Sequence, residues 1–300
     1  MAPSTAILPE IHEGTGISSR EIFSYSKWNL ALPLLAQQYW DNDPCPHIRI
    51  VDFLNPEFAK EMAQEFPAMD TDSWTKYKHK NENKLGLSHR NLFPELIGQA
   101  VDELNSPAFV SWLSQLTGIS GLVPDPSLEG GGLHQCGRGG FLNVHTDFSA
   151  HHYHKNWRRQ VNLILYLNPN WQPEWGGSLE LWDPGVRNCA VKYLPLMNHA
   201  VIFTTNEKSL HGFPDPLTCP EGVSRKSLAL YYYTEEKTEL QARSTDYRPR
   251  PEDGLYKCAM IWLDKKAVDL YSKAKARFGF SDDFASRILG VLSRKIELRK

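Results

Sequence analysis

The chain has 300 residues, and its 33 Lys and Arg against 35 Asp and Glu give a formal net charge of -2. A chain of this length can bury a substantial core, and its 41% hydrophobic and 23% charged residues are typical of a globular protein. The near-neutral balance argues against a protein that binds nucleic acid through its overall charge. No apolar run approaches the roughly 18 residues that a membrane helix needs, so we expect no transmembrane segment.

Cysteine usage favours a reducing compartment. The five cysteines are odd in number and form no CxxC pair, which argues against a disulfide framework and against a structural zinc site. The N-terminal 20 residues lack the apolar core of a signal peptide. We therefore expect a cytoplasmic protein.

The N-terminal part of the chain predicts an arm, two helices and a strand. Residues 1–20 are rich in Ser, Thr, Gly and Pro and predict a flexible arm, and residues 21–40 favour a helix. From His47 the segment HIRIVDF alternates like a strand. Asn55 and Pro56 then supply the cap and the first residue of a helix over EFAKEMAQEF.

Two segments follow before the centre of the chain. Residues 70–95 are polar and rich in Lys and Asn, which indicates an exposed loop. Residues 97–117 predict one helix, because apolar residues recur there at helical spacing.

The centre, about residues 120–235, predicts a β-rich core. It consists of short β-type runs cut by Gly and Pro, among them FLNVHTDF, QVNLILYLN, GGSLELWD, HAVIFTT and SRKSLALYYYT. Runs of this length and spacing predict a sandwich or barrel. The run QVNLILYLN alternates, which places Val161, Leu163, Leu165 and Leu167 on one face and Asn162, Ile164 and Tyr166 on the other.

After about residue 236 the pattern becomes helical and basic. From Tyr256 onward there are 11 Lys and Arg against 5 Asp and Glu, a local charge of +6. We interpret residues 236–300 as a basic helical extension of a domain over residues 21–235. A solvated helical face is the first interpretation, and a membrane-surface or polyanion contact is the alternative. A homodimer contact through these helices is a further expectation.

One pair of residues has the spacing of metal ligands. His145 and Asp147 are separated by one residue within a predicted strand, so both side chains lie on the same face. His211, just past the strand HAVIFTT, is the best candidate for a third ligand. Two histidines and one carboxylate form the facial triad of non-haem iron(II) oxygenases, which leaves metal positions open for other molecules.

Fourteen residues after His211 comes Arg225, followed two residues later by Ser227 on the same strand face. An arginine and a hydroxyl placed in this way can bind a carboxylate, the arginine through two parallel hydrogen bonds.

The ordered set GRGGFLNVHTD, RRQVNLILYLNPNW, WGGSLELWD, the strand before His211 and SRKSLALYYY covers about residues 130–235. In this order and spacing the sequence resembles the iron(II)/2-oxoglutarate dioxygenases, specifically the prolyl-4-hydroxylase-like branch. The resemblance implies a mainly β fold, a double-stranded β-helix (jelly roll) with helices packed on one face. It also implies iron(II), 2-oxoglutarate and dioxygen as cofactor and cosubstrates, with ascorbate as a reductant.

The resemblance assigns roles to individual residues. His145, Asp147 and His211 would bind iron, and Arg225 would bind the distal carboxylate of 2-oxoglutarate. Tyr166 and Ser227 would support the same carboxylate, and Asn162 would point toward the pocket from the face that carries Tyr166. Gln135 stands where the family often has a tyrosine, so that contact would be made by an amide.

The intact carboxylate of Asp147 favours hydroxylation over halogenation, since halogenating relatives carry a small residue there. We therefore expect hydroxylation of an unactivated C–H bond of a small molecule, a glycan or a peptidyl residue, with release of succinate and CO2. One alternative is a cupin-type jelly-roll enzyme that binds a metal without 2-oxoglutarate. Another is a binding module whose site has decayed.

Substrate contacts are expected from the loops 70–95 and 148–160 and from the N-terminal arm. His151, His152 and His154 lie in the second of these loops. We interpret them as part of a mobile loop at the pocket mouth, with a substrate contact as the alternative.

Overall fold

The structure, a computed structural model, describes the backbone of residues 21–278 and the side chains of residues 21–266. The described residues divide into two compact units, one that ends at residue 251 and one that starts at residue 252. The predicted N-terminal arm and most of the predicted basic extension lie outside the described side chains, so the expectations placed on them stay predictions.

Four helices form a layer on one face of the sheet in the first unit. They are α1 (Tyr25–Asp41), α2 (Pro56–Gln64), α3 (Glu95–Leu104) and α4 (Pro107–Thr117). Asn55 caps α2 as predicted, because its Oδ1 accepts a hydrogen bond from the backbone N–H of Phe58. Apolar residues of all four helices and of the sheet make one core.

The single helix predicted over residues 97–117 is wrong. The segment contains two helices, since Ser106 caps α4 and Pro107 occupies its first position. A proline there lacks the N–H that would continue the preceding helix, so the chain turns between them.

The described strands form one antiparallel sheet that curls into a nearly closed barrel, the predicted double-stranded β-helix. Its strands are β1 (His47–Ile50), β2 (Thr75–His79), β3 (Glu82–Leu87), β4 (Leu122–Pro124), β5 (Gly132–Cys136), β6 (Phe141–Thr146), β7 (Trp157–Tyr166), β8 (Leu179–Trp182), β9 (Cys189–Tyr193), β10 (His199–Thr204), β11 (Leu210–Phe213), β12 (Arg225–Glu235) and β13 (Asp246–Tyr247). The order β1-β10-β7-β12-β5-β3-β6-β11-β8-β9 runs from one edge to the other. The helices cover the outer face of the strands at the start of this order, among them β1, β10, β7 and β12. The inner face of the sheet is left to form a cavity.

The structure corrects the prediction of a loop over residues 70–95. This segment contains the hairpin of β2 and β3, and β3 bridges β5 and β6 in the barrel wall. All five residues of β2 are exposed. Its composition therefore resembles that of a loop, because a strand with no buried face carries no alternating signal.

Strand β7 shows the predicted alternation over most of its length. Val161, Leu163, Leu165 and Leu167 lie in the core under the helices, and Asn162, Ile164 and Tyr166 line the inner cavity. Near its start the pairing with β12 skips Gln160, because Val161 pairs with Tyr232 while Arg159 pairs with Tyr233. This β-bulge turns Arg159 to the same inner face as Asn162.

The second unit begins with helix α5 (Leu255–Phe278). The helix predicted after residue 236 therefore starts at Leu255, and residues 246–247 before it form β13. None of the helices in the described residues combines the length and the apolar character needed to cross a membrane.

Candidate metal centre

The two histidines of the predicted triad are direct partners in the sheet. His145 on β6 pairs with His211 on β11 across antiparallel strands, so their side chains leave the sheet on the same face. Their ring centroids are 4.4 Å apart. Strand pairing therefore brings together residues that are far apart in the sequence.

Asp147 completes the group. Its Oδ1 lies 3.6 Å from Nε2 of His145, and its Oδ2 lies 3.5 Å from Nε2 of His211. One ligand atom from each residue lies within 4.8 Å of the others, and no other such group of His, Cys, Asp or Glu occurs among the described residues. The three predicted ligands are thus brought to one point.

The protons of both imidazoles are placed for metal binding. Nδ1 of His145 donates to the carbonyl oxygen of Asn143 at 2.8 Å, and Nδ1 of His211 donates to that of Ser209 at 3.0 Å. Each Nε2 is then left with its lone pair, which faces Asp147. This donor set fits a divalent iron ion with open positions.

Electrostatics keep Asp147 and His211 in their ligating forms. Burial alone would raise the pKa of Asp147, but Arg159 and the two histidines hold it well below its usual range. Burial lowers the pKa of His211 to about 4, so this imidazole is neutral at pH 7.

An amide donor and a cation lie beside Oδ2 of Asp147. Nδ2 of Asn162 donates to Oδ2 of Asp147 at 2.8 Å, and a guanidinium nitrogen of Arg159 lies 3.2 Å from the same oxygen. Nε of Arg159 also donates to Oδ1 of Asn162 at 2.9 Å. Asn162 was expected at the pocket, and the structure places it against the carboxylate ligand.

Arg225 lies at the cavity end of β12, one strand from β7. Its Nε donates to the carbonyl oxygen of Gly177 at 2.7 Å, and its Nη2 donates to the hydroxyl of Tyr166 at 3.0 Å. The guanidinium also packs over Phe213, 4.2 Å from the ring centroid. Ser227 pairs with Tyr166 across the two strands, and both line the cavity. Arg225, Tyr166 and Ser227 are therefore brought together as predicted.

Gln135 is not brought to this cavity. Its amide nitrogen donates to the hydroxyl of Ser224 at 2.7 Å, while its neighbours His134 and Cys136 line the cavity. The reason is the alternation of β5, which turns residue 135 away when residues 134 and 136 face inward. Burial, Lys84 and Arg225 hold the pKa of His134 well below its usual range.

The cavity has a volume of about 270 Å³ and contains His145, Asp147, His211 and Arg225 in its wall. Sequence reasoning did not single out most of its other side chains, which include Tyr77, Glu82, Lys84, Phe148, Arg159, Tyr231 and Tyr247. Five of them lie in the segments 70–95 and 148–160, from which substrate contacts were expected. Glu82 and Lys84 form an ion pair of 3.0 Å inside it. Glu82 and Lys84 belong to a hairpin that the sequence did not predict, and Arg159 reaches the cavity through the β-bulge. Strict alternation therefore places none of these three residues in the cavity.

The interpretation of the 151–154 loop is corrected for His151. This residue is 2% exposed, and its Nδ1 accepts the backbone N–H groups of Tyr153 and His154, both at 3.1 Å. Its Nε2 lies 3.4 Å from Asp125. His151 therefore fixes the local turn, whereas the side chain of His152 is 70% exposed.

Comparison with known proteins agrees with this geometry. Residues 131–233 match the model of the 2OG-Fe(II) oxygenase superfamily, where 2OG is 2-oxoglutarate. The chain contains a 2OG-Fe(II) oxygenase domain. The matched region includes β5 through most of β12 and hence the triad and Arg225.

The oxygenase domain is also similar to two curated proteins. Prolyl 3-hydroxylase OGFOD1 of Mus musculus is 26% identical over 198 residues, which are 64% of this chain and 33% of that protein. The Xenopus laevis protein of the same name is 26% identical over 254 residues, 81% of this chain and 46% of that protein. The chain thus spans less than half the length of these relatives.

Among solved structures, the fold is similar to that of a prolyl hydroxylase from Trichoplax adhaerens, in complex with a peptide fragment of the hypoxia inducible factor oxygen degradation domain. The two are 17% identical with a TM-score of 0.50, over 69% of this chain and 91% of that one.

These findings confirm the predicted family, the jelly-roll core and the dependence of the family on iron(II) and 2-oxoglutarate. The cupin-type alternative is not favoured. The individual site residues, the domain boundary near 236, the cytoplasmic location and the homodimer stay predictions.

Proposed function

We propose that the domain is an iron(II)- and 2-oxoglutarate-dependent hydroxylase that acts on a peptidyl residue, of which proline is the first candidate. The observation that carries the proposal is the convergence of His145, Asp147 and His211 in one cavity with Arg225. When bound, iron and 2-oxoglutarate supply dioxygen activation and C–H hydroxylation, with succinate and CO2 released.

In this proposal His145, Asp147 and His211 hold the iron. The carbonyl groups of Asn143 and Ser209 fix both imidazole rings and keep their Nδ1 atoms protonated. Each Nε2 atom therefore presents its lone pair to the metal.

Arg225 binds the distal carboxylate of 2-oxoglutarate, and Tyr166 and Ser227 support it. The side chain is already oriented by Gly177, Tyr166 and Phe213, so little conformational freedom is lost when the carboxylate binds. Burial in the barrel excludes water and strengthens the charge-assisted hydrogen bonds.

The peptidyl substrate rests on the relatives and on the cavity wall. Both curated relatives are prolyl 3-hydroxylases, and the Trichoplax protein was solved with a peptide fragment. Tyr77, Phe148, Tyr231 and Tyr247 add aromatic rings around the metal ligands. Such rings pack well against a saturated side chain like the proline ring.

The test is substrate-coupled formation of succinate by the purified chain with iron(II) and 2-oxoglutarate. Proline-containing peptides would be compared with the same peptides carrying alanine, with free amino acids and with glycans. We expect peptides with proline to raise succinate formation and to gain the mass of one oxygen atom. Succinate formation with free amino acids or glycans alone would contradict the peptidyl substrate.

A further inference from the structure

The buried side chain of Arg159 contacts the Asp147 carboxylate of the candidate metal centre. We propose that Arg159 is a positioning residue that holds Oδ2 of Asp147, so that Oδ1 is the atom presented to the metal. The inference rests on the proposed function in one respect, namely that a divalent metal binds at the triad.

The contacts form a closed triangle of Asp147, Asn162 and Arg159. Oδ2 of Asp147 receives the amide of Asn162 at 2.8 Å and lies 3.2 Å from Nη2 of Arg159. Nε of Arg159 binds Oδ1 of Asn162 at 2.9 Å, which fixes the amide orientation with its nitrogen toward Asp147. With the Asn162 amide and the Arg159 charge both at Oδ2, the carboxylate can offer the metal its other oxygen.

The guanidinium of Arg159 is buried between two aromatic rings. Its guanidinium carbon lies 3.4 Å from the ring centroid of Tyr231 and 4.5 Å from that of Phe148. The side chain is only 1% exposed. A buried charge is costly unless it is paired and stacked, and this guanidinium has both kinds of partner.

The bulge at Gln160 is what places Arg159 here. Without it, strict alternation from Asn162 would turn Gln160 inward and Arg159 outward. Arg158, the preceding residue, has its side chain 45% exposed and bonds Glu236 at 2.8 Å. Bulges next to active sites commonly redirect a side chain in this way.

A positioning role and simple charge repulsion predict opposite changes in metal affinity when Arg159 is replaced. If Arg159 acted only as a cation beside the metal, its removal would tighten metal binding, because a repulsive charge is lost. If it positions Asp147, its removal lowers metal affinity, since the carboxylate loses its fixed orientation. Loss of a side chain that holds a metal ligand in place typically weakens metal binding by about 10- to 100-fold.

The experiment measures the affinity of the full chain for Co(II), a spectroscopic substitute for Fe(II), together with the visible absorption of the bound cobalt. Arg159→Gln is compared with Arg158→Gln, which removes the same charge one residue away on the other face. We expect Arg159→Gln to bind Co(II) about 10- to 100-fold more weakly with an altered spectrum. Arg158→Gln should match the wild type in both.

Asn162→Leu is a second variant, for use also if Arg159→Gln does not fold by circular dichroism. It removes a donor to Oδ2 without changing a charge, and we expect weaker Co(II) binding again. Unchanged or tighter binding by folded Arg159→Gln or Asn162→Leu would overturn the positioning role. Failure of the wild type itself to bind Co(II) or Fe(II) would instead overturn the proposed function.

Discussion

Replacement of Arg225 by lysine tests the carboxylate site while the positive charge is kept. The guanidinium donates to Gly177 at 2.7 Å and to Tyr166 at 3.0 Å, so the orientation of its plane is fixed. Lysine keeps the charge but offers a single flexible ammonium in place of a planar fork.

The expected loss of affinity for 2-oxoglutarate follows from the contacts that lysine cannot make. A bidentate pair between arginine and carboxylate would lose one charge-assisted hydrogen bond, which contributes about 1.5–3 kcal/mol. Since about 1.4 kcal/mol corresponds to a factor of ten, we expect the Kd for 2-oxoglutarate to rise roughly 10- to 100-fold. Metal affinity should stay within a factor of two or so, because Arg225 touches none of the three ligands in the contacts described.

The assay is calorimetric titration of 2-oxoglutarate into Co(II)-loaded protein without oxygen. Lys226→Gln is the matched control, because its side chain lies on the other side of the same strand, over Phe66. A folded Arg225→Lys protein with the wild-type Kd for 2-oxoglutarate would refute the assignment of the carboxylate to Arg225.

Three further changes test the surroundings of the site and the fold. Gly177→Ala should weaken 2-oxoglutarate binding in calorimetry, since Gly177 has φ +75° and a Cβ there would lie 2.6 Å from Leu217 and 3.1 Å from the Arg225 side chain; unchanged binding would show that this turn does not position the arginine. Asn55→Ala removes the cap of α2 and should lower the free energy of unfolding by about 1 kcal/mol in a urea titration, whereas no loss would mean that the cap contributes nothing. Leu163→Ala, at a fully buried position, should cost about 2–5 kcal/mol in the same titration, and a loss below about 1 kcal/mol would contradict its place in the core.

The core and the His145–Asp147 pair could be predicted because their signals are local. Alternation in β7 identified the buried face, and the His145–Asp147 spacing needed only a strand to bring both residues to one face. His211 required more, since its pairing with His145 is set by sheet topology. The resemblance of motif order supplied that link.

The hairpin and the bulge could not be predicted from pattern alone. Strand β2 has no buried residue, so its sequence has no periodic signal, and it was interpreted as a loop. Strand β3 takes its place through pairing with β5 and β6, which is a property of the barrel. The inward turn of Arg159 depends on one extra residue in β7, and alternation without that residue assigns the inner face to Gln160.

The same limit explains why Gln135 does not reach the cavity. Its expected role came from the resemblance, which gives a position in the sequence but not the face of the strand. In the structure the face of β5 is set by its pairing with β12 and β3, and His134 is the residue turned to the cavity.

The most direct test of the central claim is an anaerobic titration of 2-oxoglutarate into the Fe(II)-loaded protein, followed by visible absorption. If His145, Asp147 and His211 hold iron beside Arg225, a weak metal-to-ligand charge-transfer band should appear and saturate with 2-oxoglutarate. It should be absent in a folded Asp147→Ala protein. A folded wild-type protein that shows no such band at saturating iron and 2-oxoglutarate would contradict the account.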